Sequence, residues 1–329
     1  MLIGRGAERE RLEALVGDAV AGRSGALLVR GPAGIGKTAL VREAVELGRR
    51  RGVAVLGARG IEAESDVPFA GLHELLSPVL GLRHDLPEHH RRALEIALGI
   101  DAGPAPDAFA VAAALLAFLS ATAERHGAVL VVLDDAHWVD AGSLDTLLFV
   151  VRRLHAEGVA VVVSARPTPD RGLGDRGLEE LALDGLGDDD ARALARSAAG
   201  DAVSDPACRR IADASRGFPL ALVELGRSLA ADPERDHAAD ATPQRPSQVV
   251  ERVFRDDLER LSPGARRALG VAAADERASR AELLAALEPS GIGAGAHGEA
   301  QRAGRVGGAG GPPRVPPPRV QSVGYHGAA

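Results

Sequence analysis

Several residue types are scarce in this 329-residue sequence, and each shortage closes off a class of function. Cysteine occurs once, at Cys208, so neither an internal disulfide framework nor a cysteine-built zinc site is available. That usage fits a reducing, cytoplasmic setting. Aromatic residues make up 2% of the chain, too few for the stacking platform of a single-strand nucleic-acid binder. Positive charge is in deficit. Lys and Arg number 39 against 46 Asp and Glu, and the net charge of −7 argues against a nucleic-acid surface made by this chain alone. Long hydrophobic runs are missing too. The longest uncharged stretch, residues 108–123, is short for a bilayer span and suits a buried helix. The first residues show no basic stretch followed by an apolar core, so neither a signal peptide nor a membrane is expected. Asparagine is absent, and lysine occurs once, at Lys37. A GC-rich coding sequence produces such a bias, so the scarcity is no adaptation by itself, and the place kept for the one lysine becomes informative.

What the chain does have is 46% apolar and 26% charged residues, ample for a buried core divided over two or three domains. Short apolar runs at 26–30, 53–58, 128–133 and 159–164 read as strands, with a short fifth over 180–183. Helical patterns separate them, over the first 25 residues and over 37–50, 68–80, 88–98, 107–125 and about 144–154. Apolar strands alternating with helices predict an α/β domain with a central parallel five-stranded sheet covered on both faces. Strand signals stop near residue 185, and an all-α region follows to about residue 231. Residues 232–247 hold three prolines and many charges and read as a linker. Residues 248–288 have the spacing of three short helices, a partial winged-helix-like unit. Residues 289–329 contain 11 glycines, 6 prolines and no leucine, so they are expected to be disordered; they are either a true tail or the product of an altered reading frame.

Gly31-Pro32-Ala33-Gly34-Ile35-Gly36-Lys37-Thr38 matches the phosphate loop G-x-x-x-x-G-K-[ST], with a strand before it and a helix after it. Glycines let the backbone wrap so that its N–H groups point at phosphate oxygens, and the following helix offers its N-terminus to the same anion. Lys37 reaches the β- and γ-phosphates, and Thr38 offers a hydroxyl to Mg²⁺. The sole lysine stands where this motif demands one. The run Leu130-Val-Val-Leu-Asp134-Asp135 is the second element: Asp134 is placed to hold Mg²⁺ and Asp135 to orient or activate the attacking water. Arg166, just past the fourth strand, lies near the γ-phosphate if that strand sits between the first and third. It could then sense the phosphate by a charge-assisted hydrogen bond. A packed Trp138 beside a surface His137 is the plain reading of that pair.

Ile3-Gly4-Arg5, the phosphate loop, Leu133-Asp-Asp-Ala-His-Trp-Val-Asp140, Ser164-Ala-Arg166 and Gly217-Phe-Pro219-Leu220-Ala221 occur in that order. In these segments the chain resembles the STAND group of AAA-type P-loop ATPases, the signal-transduction ATPases with numerous domains. It is most similar to the ATPase module of large ATP-binding LuxR-type transcriptional regulators. The resemblance covers residues 1–288. It implies a P-loop AAA-type domain over 1–175 and a helical lid over 176–231. It implies that Ile3, Gly4 and Arg5 border the adenine and that Pro219 of the lid packs on it. It further implies ATP and ADP as ligands with Mg²⁺, slow hydrolysis serving a regulatory switch, a small-molecule or protein inducer, and self-association. The helix-turn-helix that binds DNA in such regulators is not visible in this sequence. Three alternatives stay open at this point: a small-molecule phosphotransferase, a replication-initiator-like AAA ATPase, and a truncated remnant without function.

Overall fold

The computed structural model describes residues 2–167, 178–200, 203–231 and 262–264. The expected linker over 232–247, all but three residues of the winged-helix-like unit over 248–288, and the tail over 289–329 lie outside the described residues. The structure divides into two units. The first comprises Met1–Gly31 and Lys37–Leu183, the second Pro32–Gly36 and the residues from Asp184 onward.

In the first unit the elements run α1 (Gly6–Val20), β1 (Gly25–Arg30), α2 (Lys37–Arg51), β2 (Ala54–Arg59), α3 (Ala70–Leu76), α4 (Glu88–Ala97), α5 (Ala108–His126), β3 (Val129–Asp134), α6 (Ala141–Val151), β4 (Val159–Ala165) and β5 (Glu179–Ala182). The five strands form one sheet in the order β2-β3-β4-β1-β5, and every pairing is parallel. Parallel strands need crossover helices, and those helices bury both sheet faces. The sequence complies. β3 and β4 read VLVVLD and VAVVVSA, and every residue in both is buried. The fifth strand is short and mostly exposed, held at the edge by ion pairs of Glu179 with Arg11 and of Glu180 with Arg30. The α/β class and the five-stranded parallel sheet expected from the sequence are what the structure contains.

The helix α5 is long and apolar enough to cross a membrane by length and composition. Its Leu115, Phe118 and Leu119 are instead fully buried in the core that α3, α4 and α6 share with the sheet. One expected helix is cut short. The pattern over 68–80 gives an α-helix only over Ala70–Leu76, followed by a 3₁₀ segment over Ser77–Asp85. Pro78 has no N–H to continue the α-helical ladder, and the tighter 3₁₀ turn replaces it.

The second unit is all-α in its described part: α7 (Asp188–Ala199), α8 (Asp205–Ser215) and α9 (Pro219–Ala231). Ala191, Ala195 and Ala199 line one side of α7 and are buried. A Cβ on Gly226 of α9 would stand 2.9 Å from the Ala198 Cβ and 3.0 Å from the Ala195 carbonyl oxygen. Small residues on both helices thus let α7 and α9 pack closely. Cys208 is buried on α8 among these helices, a small core residue.

Candidate functional site

In a fully parallel sheet all strands point their carboxyl ends the same way, and the chemistry-bearing residues of this chain gather there. β1 ends at Arg30, and the next strand over, β4, pairs Ser164 with Val29 and Ala165 with Arg30. On its other side β4 pairs Val163 with Leu133, which brings Asp134 of β3 level with Ser164. The fourth strand therefore does sit between the first and third, which is the condition set for Arg166. That arginine is half-buried one residue past β4.

The loop between β1 and α2 has the backbone its glycines allow. Gly34 and Gly36 have φ of 78° and 105°, a region that side-chain-bearing residues rarely adopt. Gly31 N–H donates to the Ala165 carbonyl at 3.4 Å, which ties the start of the loop to β4. Within the second unit, the Leu220 N–H at the start of α9 donates to the Gly34 carbonyl at 3.1 Å. α2 opens at Lys37, so its first N–H groups have no partner within the helix. Lys37 is only 6% exposed, and its Nζ donates to the Gly31 carbonyl at 2.8 Å. A buried ammonium is costly unless polar groups surround it, so its place beside a glycine-rich helix start gives an anion-attracting centre. Thr38 follows, half-buried, at the second helical residue.

Asp134 is 6% exposed. Its Oδ1 accepts from the Ser164 hydroxyl and from the Asp135 N–H. Among the described residues nothing donates to its Oδ2. Asp135 follows with φ 51°, in the left-handed region, and its N–H also reaches Ser164 Oγ at 3.1 Å. This turn sends the Asp135 carboxylate to Arg59, the last residue of β2, whose guanidinium donates to Oδ2 at 3.1 and 3.3 Å. The turn fits because residue 60 is glycine: a Cβ there would stand 2.3 Å from the Asp135 carbonyl oxygen.

Farther along the same segment, Asp140 is 3% exposed and caps α6. Its carboxylate accepts from the N–H groups of Ser143, Phe69 and Gly71, and Ser143 Oγ accepts from Leu72 N–H. One carboxylate thereby fixes the start of both α3 and α6. The reading of His137 as a surface residue is corrected: His137 is buried, and the neighbouring Trp138 is the more exposed of the two, with ring centroids 5.2 Å apart. The 3₁₀ turn over Ala136–Trp138 turns the histidine inward.

The other sequence-derived candidates take these places. Gly4 has φ 69°, Ile3 is half-buried, and Arg5 is buried and paired with Glu8 at 2.7 Å just before α1. Pro219 is the first residue of α9, half-buried, after Gly217 with φ 74°. A Cβ on Gly217 would stand 2.1 Å from the Leu186 carbonyl oxygen, so the turn into α9 requires that glycine. Ser164, Arg59 and Asp140 were not singled out as site residues from the sequence. Ser164 had a signal, as the one polar residue in the apolar run of β4. Asp140 stands in the segment Leu133–Asp140 that carries the resemblance, with no role assigned to it, and Arg59 had no signal.

Comparison with known proteins follows the geometry. Residues 1–163 match a family model described as the AAA ATPase domain. Among solved structures the chain is similar to the Walker-type ATPase PABY2304 of Pyrococcus abyssi. The identity is 14% over 98% of this chain and 96% of that one, with a TM-score of 0.68. Looser likenesses include a RuvB point mutant of Thermotoga maritima (16% identity, 95% and 93% covered, TM-score 0.45) and the ORC1 protein of Aeropyrum pernix in complex with DNA (18% identity, 99% and 93% covered, TM-score 0.42). No curated protein matches the sequence. At 14% identity the likeness to the Pyrococcus abyssi protein speaks to the fold alone, and over residues 1–163 the chain is similar to the AAA ATPase domain.

Proposed function

We propose that this chain is the ATP-binding regulatory module of a LuxR-like transcriptional regulator of the STAND type: it binds ATP, hydrolyses it slowly and uses the phosphate state as a switch. The observation that carries the reading is the buried ammonium of Lys37, the only lysine of the chain. It stands at the first residue of a helix behind a glycine-rich loop. In this reading Gly31 to Thr38 cradle the phosphates of ATP or ADP, and Ile3, Gly4, Arg5 and Pro219 border the adenine. Arg166 senses the γ-phosphate, and Asp135 orients the attacking water. Inducer binding and self-association belong to the same reading, with contact to DNA only through a segment not seen in this chain.

A divalent cation fits the donors present. The Thr38 hydroxyl and the Asp134 carboxylate are hard oxygen ligands, and Oδ2 of Asp134 accepts no hydrogen bond among the described residues. No group of three or more His, Cys, Asp or Glu that could hold a metal occurs among the described residues. One carboxylate and a hydroxyl, completed by phosphate and water oxygens, suit Mg²⁺. When bound, the cation neutralises charge on the phosphates. Slow turnover is supported by Asp135 itself. It is one methylene shorter than the glutamate that many related ATPases carry there, and its carboxylate is paired with Arg59.

Lys37→Ala tests the reading. Hydrogen bonds from a charged donor contribute roughly 1.5–3 kcal/mol, so affinity for a fluorescent ATP analogue should fall about 10- to 100-fold while the thermal melt stays cooperative. Unchanged affinity in the folded variant would sink the assignment of the phosphate loop.

A further inference from the structure

We propose that Ser164 is a positioning residue that decides which oxygen of Asp134 meets the cation; the inference rests on the phosphate-binding reading given above. β4 is buried along its whole length, and Ser164, 0% exposed, is its one polar side chain. A hydroxyl in such a place is costly unless both its donor and its acceptor sites are used. Here they are. The O–H donates to Oδ1 of Asp134, and the oxygen accepts the Asp135 N–H at 3.1 Å. The same N–H reaches Asp134 Oδ1 at 3.1 Å, so three groups close on one another at the end of β3.

The consequence for Asp134 is an asymmetry between its two oxygens. The terminal torsion of an aspartate is broad and roughly two-fold, so the chain by itself does not choose which oxygen points where. Two donors on Oδ1 make the choice, and Oδ2 is left without a hydrogen bond among the described residues. Oδ2 is then the oxygen presented to a divalent cation. The second consequence is for the turn. Ser164 holds the N–H of Asp135 while that residue adopts its left-handed conformation, which keeps the Asp135 carboxylate away from the cation-binding oxygen and on Arg59. Ser164 touches neither phosphate nor metal in this role; it acts through Asp134.

Groups that orient a metal's carboxylate ligand typically change metal affinity by about 10- to 100-fold when removed. The test uses the full chain and a fluorescent ATP analogue, titrated once in EDTA and once at fixed analogue with increasing Mg²⁺. Ser164→Ala should leave the EDTA affinity within about twofold of the parent and raise the Mg²⁺ concentration at half-effect about tenfold. Ser164→Thr, which keeps the hydroxyl, should restore the parent's Mg²⁺ midpoint. Ser164→Cys, a weaker donor of similar size, should fall between. A thermal melt without ligands checks folding of each variant. An unchanged Mg²⁺ midpoint in Ser164→Ala overturns the inference, as does an equal loss of affinity with and without Mg²⁺. A parent protein that binds no nucleotide in either condition overturns the phosphate-binding reading and this inference together. If the parent binds and Lys37→Ala does not, the reading stands and the Ser164 series alone decides.

Discussion

Asp135 combines two features that oppose each other. Its left-handed backbone costs a non-glycine residue about 1 kcal/mol. Its side chain, the proposed handle on the attacking water, is engaged by Arg59. The backbone cost is offset locally: the N–H has Asp134 Oδ1 and Ser164 Oγ, and the carbonyl accepts the Trp138 N–H at 2.8 Å. The Arg59 pair is different, because the guanidinium side chain is 61% exposed and an ion pair in water contributes little. Arg59→Ala should therefore free the carboxylate at small cost to the fold. It should raise the single-turnover rate of ATP hydrolysis by about 1.4- to fivefold, the range an exposed pair of roughly 0.2–1 kcal/mol allows. A rate equal to or below the parent's would mean that the pair does not restrain Asp135.

The elements show where sequence reading reaches and where it stops. The runs ALLVR, AVLVVL and VAVVVS coincide with strands β1, β3 and β4 to within one residue at each end, because a strand buried on both faces must be largely apolar. The glycine-rich loop between β1 and α2 was legible from its spacing alone. The 3₁₀ segment over Ser77–Asp85 was not, because hydrophobic spacing does not distinguish a 3₁₀ turn from an α-helix until Pro78 is weighed against it. The contacts of Arg59 and Asp140 were invisible for another reason. Arg59 meets Asp135 because Arg59 pairs with Asp134 in the register of β2 and β3, and Asp140 meets Phe69 and Gly71 across about 70 residues of chain. Long-range register is a property of the packed sheet and leaves no local trace.

A clamp at the opposite end of β1 and β4 gives the element scale its own prediction. Ser24, just before β1, donates to Glu157 Oε2 at 3.1 Å and accepts from the N–H groups of Glu157 and Val159, ahead of β4. The His155 N–H donates to the same carboxylate at 2.6 Å. Burial pushes the Glu157 carboxyl up, but the backbone N–H groups of His155 and Glu157 and the Ser24 hydroxyl together outweigh it and hold it below the usual range. A carboxyl lowered in the folded state stabilises above its unfolded pKa, about 4.3, and that contribution is lost as pH falls through the folded value. Glu157→Gln should melt roughly 1–3 °C below the parent at pH 7. The gap should close as the pH is taken below about 4. A gap that stays constant from pH 7 to pH 3 would show that charge on Glu157 has no part in the clamp.

At the scale of the whole molecule, the two units are built on different rules. The first is held by a sheet whose central strands are wholly buried, and the second, in its described part, by small residues that let α7 and α9 approach. Arginine supplies all but one of the 39 Lys and Arg residues, and the solitary lysine lies buried at the first residue of α2 rather than on the surface. For an acylating reagent this makes the folded protein nearly inert. Apart from the chain terminus it offers one amine, which is 6% exposed and hydrogen-bonded to Gly31. Mass spectrometry after brief treatment with an N-hydroxysuccinimide ester should find Lys37 unmodified in the native state, stoichiometrically modified in urea, and further shielded by ATP at intermediate denaturant. Rapid native-state acylation of Lys37 would contradict its burial. The composition that left the surface without lysine has thus given the protein a single built-in chemical reporter, and it reads the opening of the glycine-rich loop.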